Sequence, residues 1–341
     1  MIQRVFFLIV ALLIGITFNA LQIPAGWLLG GIITGICWGM IKGKLVFPRR
    51  WYMVVLVLVG SNIGLMMERD LFLLVGQYLF PLIVTLSLTL ISSFVLGWLL
   101  LRWSTLDKRT AFFSCIPGGM SEVISVSGEY GADDRIVAAF HTARVTLFVL
   151  FVPLLVVYWE GGNHVSEQAL AKEGFHLITF EQITVLLTVM VLSILLHKRW
   201  PIPAGAILYA LLIAFIIGEF IVPIDSLPNY VPGIGQVLLG AIVGVRFDRA
   251  TFQQLKSLGF VSLKILATYF LFAILIAAVF WLLTDATLSL SLLSTVPAGA
   301  AEMSATAFAI GLEPTLVTSL HIIRVIILFL LLPFLIRWVN Q

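Results

Sequence analysis

The chain is 341 residues long, 61% hydrophobic and only 11% charged, with a formal net charge of +3. Soluble domains run near half apolar and a quarter charged, so this chain has too little polar surface to face water on all sides. A pair of soluble domains is excluded, and the chain must face lipid.

Basic residues in such a chain report which loops stay in the cytoplasm, so the positive balance does not indicate a nucleic-acid partner. Cys37 and Cys115 lie in apolar stretches without disulfide or metal-ligand spacing. Arg4 opens an apolar run to Asn19-Ala20, and a second run starts almost at once at Ile23. Cleavage there would strand a helix without its partner, so residues 4–20 are expected to be kept as a span.

A bilayer core of about 30 Å needs roughly 20 apolar residues per helix. Suitable runs fall near 4–20, 23–41, 51–67, 78–103 and 134–158, and again near 180–196, 202–219, 231–247, 258–283 and 315–337. Shorter pieces interrupted by proline and glycine, 110–129 and 289–310, precede the last run of each set. The polar stretch Glu160–Thr179 divides the chain, giving a first membrane repeat 1–159, a linker 160–179 and a second repeat 180–341.

The halves match in register. Ile23-Pro24-Ala25-Gly26 returns as Ile202-Pro203-Ala204-Gly205, and Gly60, Gly64 and Arg69 return as Gly240, Gly244 and Arg249. Pro117, Gly119 and Glu122 return as Pro297, Gly299 and Glu302, and His141, Arg144 and Pro153 as His321, Arg324 and Pro333. Apolar chance similarity would not place ionisable residues in register with prolines and glycines, so the unit is duplicated.

If each interrupted piece spans fully, the halves have six crossings and are parallel; if it dips in and returns, they have five and are inverted. With the N-terminus inside, the inverted arrangement puts Lys42, Lys44, Arg49, Arg50, Arg102, Lys108, Arg109, Lys198, Arg199, Arg246, Arg249, Lys256 and Arg337 in the cytoplasm. Only Arg69 and Lys172 fall outside. The expectation is an all-α polytopic protein of two inverted repeats, each of five spanning helices and a broken helix or re-entrant hairpin.

The interrupted segments read Ile116-Pro117-Gly118-Gly119-Met120-Ser121-Glu122 and Val296-Pro297-Ala298-Gly299-Ala300-Ala301-Glu302. Proline lacks an N–H and glycine tolerates unusual dihedrals, so a helix should break there. A break at membrane depth needs protein or a watery cavity over its free backbone groups, and transporters place substrate sites at such breaks. A packing kink is the plainer reading. Glu122 and Glu302 either cap their own half-helix or serve as a proton or cation site. His141 with Arg144, and His321 with Arg324, share a helix face and must point inward. Arginine suits carboxylate or phosphate; the plainer alternative is an internal ion pair with Glu122 or Glu302. Structural roles are expected for the two Gly-x-x-x-Gly pairs and for Pro153 and Pro333. Asp133 and Glu313-Pro314 are helix-start signals, and Asn62 is expected to make an interhelical hydrogen bond.

The paired motifs, each followed by His and Arg in an apolar helix, resemble the AbrB family of bacterial membrane proteins over essentially the whole chain. The resemblance implies a bacterial inner-membrane location. It carries labels from gene regulator to ammonia monooxygenase to transporter, and the family is distinct from the DNA-binding regulators of similar name. The chain's histidines do not form the converging ligand set that a monooxygenase metal centre needs, and no basic soluble domain remains for DNA.

The expected function is therefore secondary transport of a small anionic organic solute, not enzymatic and without cofactor. Gly118, Gly119, Ser121, Glu122, His141, Arg144, Ala298, Gly299, Glu302, His321 and Arg324 would form the substrate and ion site. A proton or sodium ion would be the coupling ion, both termini would be cytoplasmic, and a homo-oligomer is compatible. The alternative is a membrane sensor that affects gene expression without a transport cycle.

Overall fold

Long runs of Leu, Ile, Val and Phe satisfy their own backbone only as helices or closed barrels when lipid surrounds them. In the computed structural model they form helices, and no strand occurs among the described residues. Those are all residues except 1, 24, 68–75, 118–122, 125–126, 129, 161–176, 203–204, 223–226 and 341, with side chains at 329 and 332–340 also left aside. The first half contains α1 (Ile2–Ala20), α2 (Gly26–Lys42), α3 (Arg49–Leu65), α4 (Leu79–Trp103), α5 (Lys108–Cys115) and α6 (Asp134–Trp159). The second contains α7 (Phe180–Arg199), α8 (Gly205–Phe220), α9 (Tyr230–Gly244), α10 (Arg249–Ser257), α11 (Phe260–Leu282), α12 (Leu288–Thr295), α13 (Ala300–Ala309) and α14 (Pro314–Asn340). Helices α1, α4, α6, α7 and α11 are long and apolar enough to cross a membrane, and α9 with α10, bent by 47°, would add a sixth span. This is a multi-pass membrane protein.

Local chemistry sets the helix boundaries. Thr179 and Gln182 form a reciprocal capping box at the start of α7. Asp107, Asp133, Asp248 and Thr287 accept hydrogen bonds from the first free N–H groups of α5, α6, α10 and α12. Gly131 and Gly311 both adopt positive φ, 75° and 71°, just ahead of α6 and α14, a conformation that favours glycine. The helix-start roles expected for Asp133 and Pro314 are met.

Helices of one half pack mainly on helices of the other: α2 on α9, α3 on α8 and α4 on α11. The directions of these contacts are informative. Gly31 faces Val237 and Gly39 faces Phe247, so α2 and α9 run the same way. Gly60 faces Ile207 and Gly64 faces Leu211, so α3 and α8 also run the same way. By contrast, α4 and α11 run oppositely. Tyr78 at the start of α4 stacks on Phe280 near the end of α11, with ring centres 5.7 Å apart, while Lys264 near the start of α11 sits 5.7 Å from the ring of Trp103 at the end of α4. The small residues of both Gly-x-x-x-Gly pairs bring backbones into contact, which drives association when lipid supplies no hydrophobic force between helices.

Two expectations change here. Asn62 makes no interhelical bond among those described; its amide nitrogen reaches the sulfur of Met66 in its own helix at 3.9 Å. Residues 249–257, assigned above to a cytoplasmic loop, form the short amphipathic helix α10, with Leu255 buried against the core.

Candidate functional site

A helix that stops inside a membrane leaves its last carbonyls without partners. The two interrupted segments create this problem at α5 and α12, and the answer is repeated. His141 of α6 meets the carbonyl of Phe113 at 3.0 Å through Nε2, and its Nδ1 meets Nη2 of Arg144 at 3.1 Å. Likewise His321 of α14 meets the carbonyl of Leu293 at 2.8 Å, and its Nδ1 meets Nη2 of Arg324 at 2.8 Å. A carbonyl only accepts and a guanidinium only donates, so each imidazole is fixed as the neutral form with hydrogen on Nε2. In this wiring neither imidazole keeps a free lone pair to take a proton.

The arginines are not equally engaged. Arg324 donates through Nη1 to the carbonyls of Thr295 and Val296, each at 2.8 Å, and through Nη2 to that of Ala298 at 3.3 Å. Among the described residues Arg144 reaches one carbonyl, that of Ile116, at 3.4 Å. Its Nη1 also donates to the hydroxyl of Tyr269 at 3.1 Å, and that hydroxyl donates to the carbonyl of Cys115 at 3.3 Å. The Nε of Arg144 is buried without a partner. Both guanidiniums are almost fully enclosed, with Arg144 4% and Arg324 5% exposed, and Arg324 feels the charge of Arg144. Neither forms an ion pair among the described residues.

The same contacts show how the chain runs. Along α14, Leu293 lies by His321 and Thr295 by Arg324, so α12 is parallel to α14; Ser304 lies 2.5 Å from the Thr318 hydroxyl and Ala298 is beside Arg324, so α13 runs the other way. Helices α12 and α13 therefore form a hairpin with Val296–Gly299 at its tip. In the first half, Arg109 donates to the carbonyl of Tyr130 at 3.0 Å and the Asp133 N–H to the Thr110 hydroxyl at 2.8 Å. The chain thus returns at 130–133 to where it left at 109–110. Gly118, Gly119, Ser121 and Glu122 lie outside the described residues.

Glu302 places its carboxylate at the start of its own half-helix, by its own backbone N–H. It is the third residue of α13 after Gly299, and its carboxylate folds back so that a Cβ at Gly299 would collide with it. A carboxylate there meets free N–H groups and the positive end of the helix dipole. Glu302 is only 4% exposed and couples to the Tyr52 hydroxyl of α3 and to Arg246 just beyond α9. The guanidinium carbon of Arg246 sits 4.8 Å from the centre of the Tyr52 ring, within cation–π reach. The ion pair weighed above between Glu302 and Arg324 does not form: carbonyls occupy Arg324, and Glu302 faces a different arginine.

Tyr52, Arg246 and Tyr269 are the site residues that the sequence reading missed. Arg246 had counted only as a cytoplasmic charge. A cavity of about 10 Å³, room for one water-sized group, lies between α3, α9 and α13, lined by Asn62, Gln236, Pro232, Ala305 and Phe308 among others. The Oε1 of Gln236 is buried without a partner.

The family model described as "Transition state regulatory protein AbrB" matches residues 27–340. The chain belongs to the AbrB family. It is 28% identical over 360 residues to "Uncharacterized protein YhjN" of Bacillus subtilis (strain 168), covering 98% of this chain and 92% of that one. It is 25% identical over 340 residues to "Putative regulator AbrB" of Escherichia coli (strain K12), covering 97% and 95%. The hairpins and their His and Arg staples lie inside the region that matches the family model, so they belong to the AbrB part of this chain.

Proposed function

We propose that this AbrB-family protein is a secondary active transporter of a small anionic organic solute, non-enzymatic and without cofactor, in the bacterial inner membrane. The observation that carries the reading is the pair of stapled hairpins whose buried guanidiniums, Arg144 and Arg324, lie in mutual electrostatic reach without a described carboxylate between them. Two like charges in a low-dielectric interior repel strongly, and an anion relieves that cost. The unpartnered Nε of Arg144 offers the donor for it, whereas Arg324 acts mainly through its field.

Helix directions support inverted repeats. In parallel repeats α4 and α11 would run alike, and α2 would oppose α9; both are the reverse of what is observed. With returning hairpins each half would have an odd number of crossings, so both termini would share a side, which the basic loops favour as the cytoplasmic one. A proton or sodium gradient drives the cycle in this reading, and a homo-oligomer is compatible with it. The name of the Escherichia coli relative favours a second reading, a membrane regulator without a transport cycle.

Two experiments separate these. A cysteine at Ser166, with Cys37 and Cys115 replaced by serine, should label with an impermeant thiol reagent on intact cells. Labelling only after lysis would remove the inverted arrangement. Proteoliposomes should then accumulate at least one of radiolabelled lactate, succinate, citrate or inorganic phosphate under an imposed proton or sodium gradient. No accumulation of any of them would favour the regulator.

A further inference from the structure

The Glu302 carboxylate sits in a receptor built for carboxylates in general. Helix α13 packs on α3 and α9 there, the carboxylate folds back over Gly299, and Arg246 lies 4.8 Å from the Tyr52 ring beside it. The Glu302 backbone N–H, the Tyr52 hydroxyl and the Arg246 guanidinium act on the carboxylate electrostatically. Among the described residues, Tyr52 of α3 and Arg246 at the end of α9 are the charged and titratable groups coupled to Glu302. The other helices packed on α13, namely α2, α6, α12 and α14, contribute none. The sequence of the first half lacks the matching arginine. Matching Gly64 to Gly244 and Arg69 to Arg249 places Met66 where Arg246 stands, and among the described residues the Met66 side chain accepts from Asn62.

Adjacent space is available too. Ala305 and Phe308 follow Glu302 by about 4.5 Å and about 9 Å along α13, and both line a cavity with Gln236, a residue only 3% exposed whose Oε1 is buried without a partner. A buried acceptor without a partner costs about 1–3 kcal/mol, so it marks a place for a group that carries a hydrogen-bond donor.

We propose that Arg246, Tyr52 and the N-terminus of α13 form the carboxylate-binding seat of the solute, occupied in this conformation by Glu302 as a built-in substitute. The inference rests on the transporter reading and narrows it to small carboxylates coupled to protons. The exchange balances: Glu302 takes up one proton, its neutral carboxyl group leaves the seat, and one solute carboxylate enters, so one proton and one anion bind together. The arm of the solute extends along α13 toward Gln236. Arg144 and Arg324 at the hairpin tips supply the positive field that the loaded anion meets next.

Formate tests the seat without the natural solute. The full-length protein in nanodiscs would be titrated with sodium formate against sodium chloride, following thermal unfolding at about pH 5.5 and about pH 7.5. Wild type should respond to formate only at the acidic pH. Glu302→Ala should bind it at both, with an apparent affinity at neutral pH at least ~10-fold above wild type, and adding Arg246→Leu should abolish the response. Glu302→Gln, which keeps the shape of the protonated side chain, should respond equally at both pH values and serves if the alanine variant does not fold. The seat is refuted if removing the Glu302 charge gives no gain at neutral pH, or if the response survives loss of Arg246. Flux in proteoliposomes decides the underlying reading separately. Flux without a formate effect would sink the seat alone, and a formate effect without flux would sink the transporter alone.

Discussion

Replacing Arg324 by Gln should cost far more stability than the same change at Arg144, although the two residues occupy equivalent positions in the repeat. Arg324 supports three tip carbonyls, two of them at 2.8 Å. Among the described residues Arg144 supports one at 3.4 Å and otherwise meets Tyr269 and His141. Hydrogen bonds to a charged group contribute about 1.5–3 kcal/mol each in soluble proteins, and interhelical ones in membranes average about 0.6. Three contacts therefore bracket roughly 2–9 kcal/mol for Arg324→Gln, with the upper part reached where lipid offers the abandoned carbonyls no other donor. Arg144→Gln should cost about 1–2 kcal/mol on the same scale, partly offset by relief of repulsion between the two guanidiniums. The assay is unfolding in mixed detergent micelles, read by tryptophan fluorescence, with extraction yield as a second measure. Arg144→Gln should remain extractable yet lose anion transport. Equal destabilisation by the two substitutions, or a larger effect at Arg144, would refute the assignment of Arg324 as the tighter staple.

The remaining predictions concern packing and capping. Gly64→Ala places a methyl against the Leu211 carbonyl and should cost about 1–3 kcal/mol by pushing α3 off α8, whereas Gly76→Ala, with open space around it, should be neutral; unfolding of the two variants side by side checks this. Asp107→Ala removes the cap on Thr110 N at 2.9 Å and should cost about 1 kcal/mol in the same assay. Burial would raise the Asp107 carboxyl, but hydrogen bonds from the Thr110 hydroxyl and from nearby backbone N–H groups outweigh it and hold the group below its ordinary value. Its contribution is therefore full above the ordinary carboxylate range and fades as pH falls through the lowered value; a wild-type advantage over Asp107→Ala that persisted into stronger acid would contradict this.

The duplication was legible because its markers are residues that lipid selects against. His141, Arg144 and Pro153 cannot recur in register with His321, Arg324 and Pro333 by apolar drift. The spans were legible from length and composition alone. The partners of the arginines were not, because backbone carbonyls leave no signature in side-chain identity, and a carboxylate three residues past a glycine looked the more natural counter-charge. Tyr52 was hidden for a related reason. An aromatic residue in an apolar run carries no sign of the hydroxyl contact that its neighbours from α9 and α13 create. Helix α10 could have been found, since Asp248 with Thr251 three residues on is a capping signal and Leu255 follows at helical spacing. Its lysine and arginine residues had been read for charge location instead.

The staples also explain why the two hairpins can belong to one mechanism and still behave differently. In both copies, histidine and arginine spend donors on carbonyls that a broken helix would otherwise leave bare, so the breaks persist at membrane depth without water. What remains after that common requirement differs between the halves. The first tip keeps a buried Nε on Arg144 without a partner, and the second keeps a carboxylate on a receptor made by α3 and α9. A duplicated unit used only as scaffold would have no reason to diverge at the groups closest to its breaks. A free donor on Arg144 and a held carboxylate on Glu302 are what separate handling of an anion and a proton requires. On this argument, grafting arginine at Met66 should restore the symmetry and impair coupling without disturbing the fold, with gradient-driven accumulation falling while solute exchange at equilibrium persists. If accumulation were unchanged, the asymmetry would have no part in the cycle.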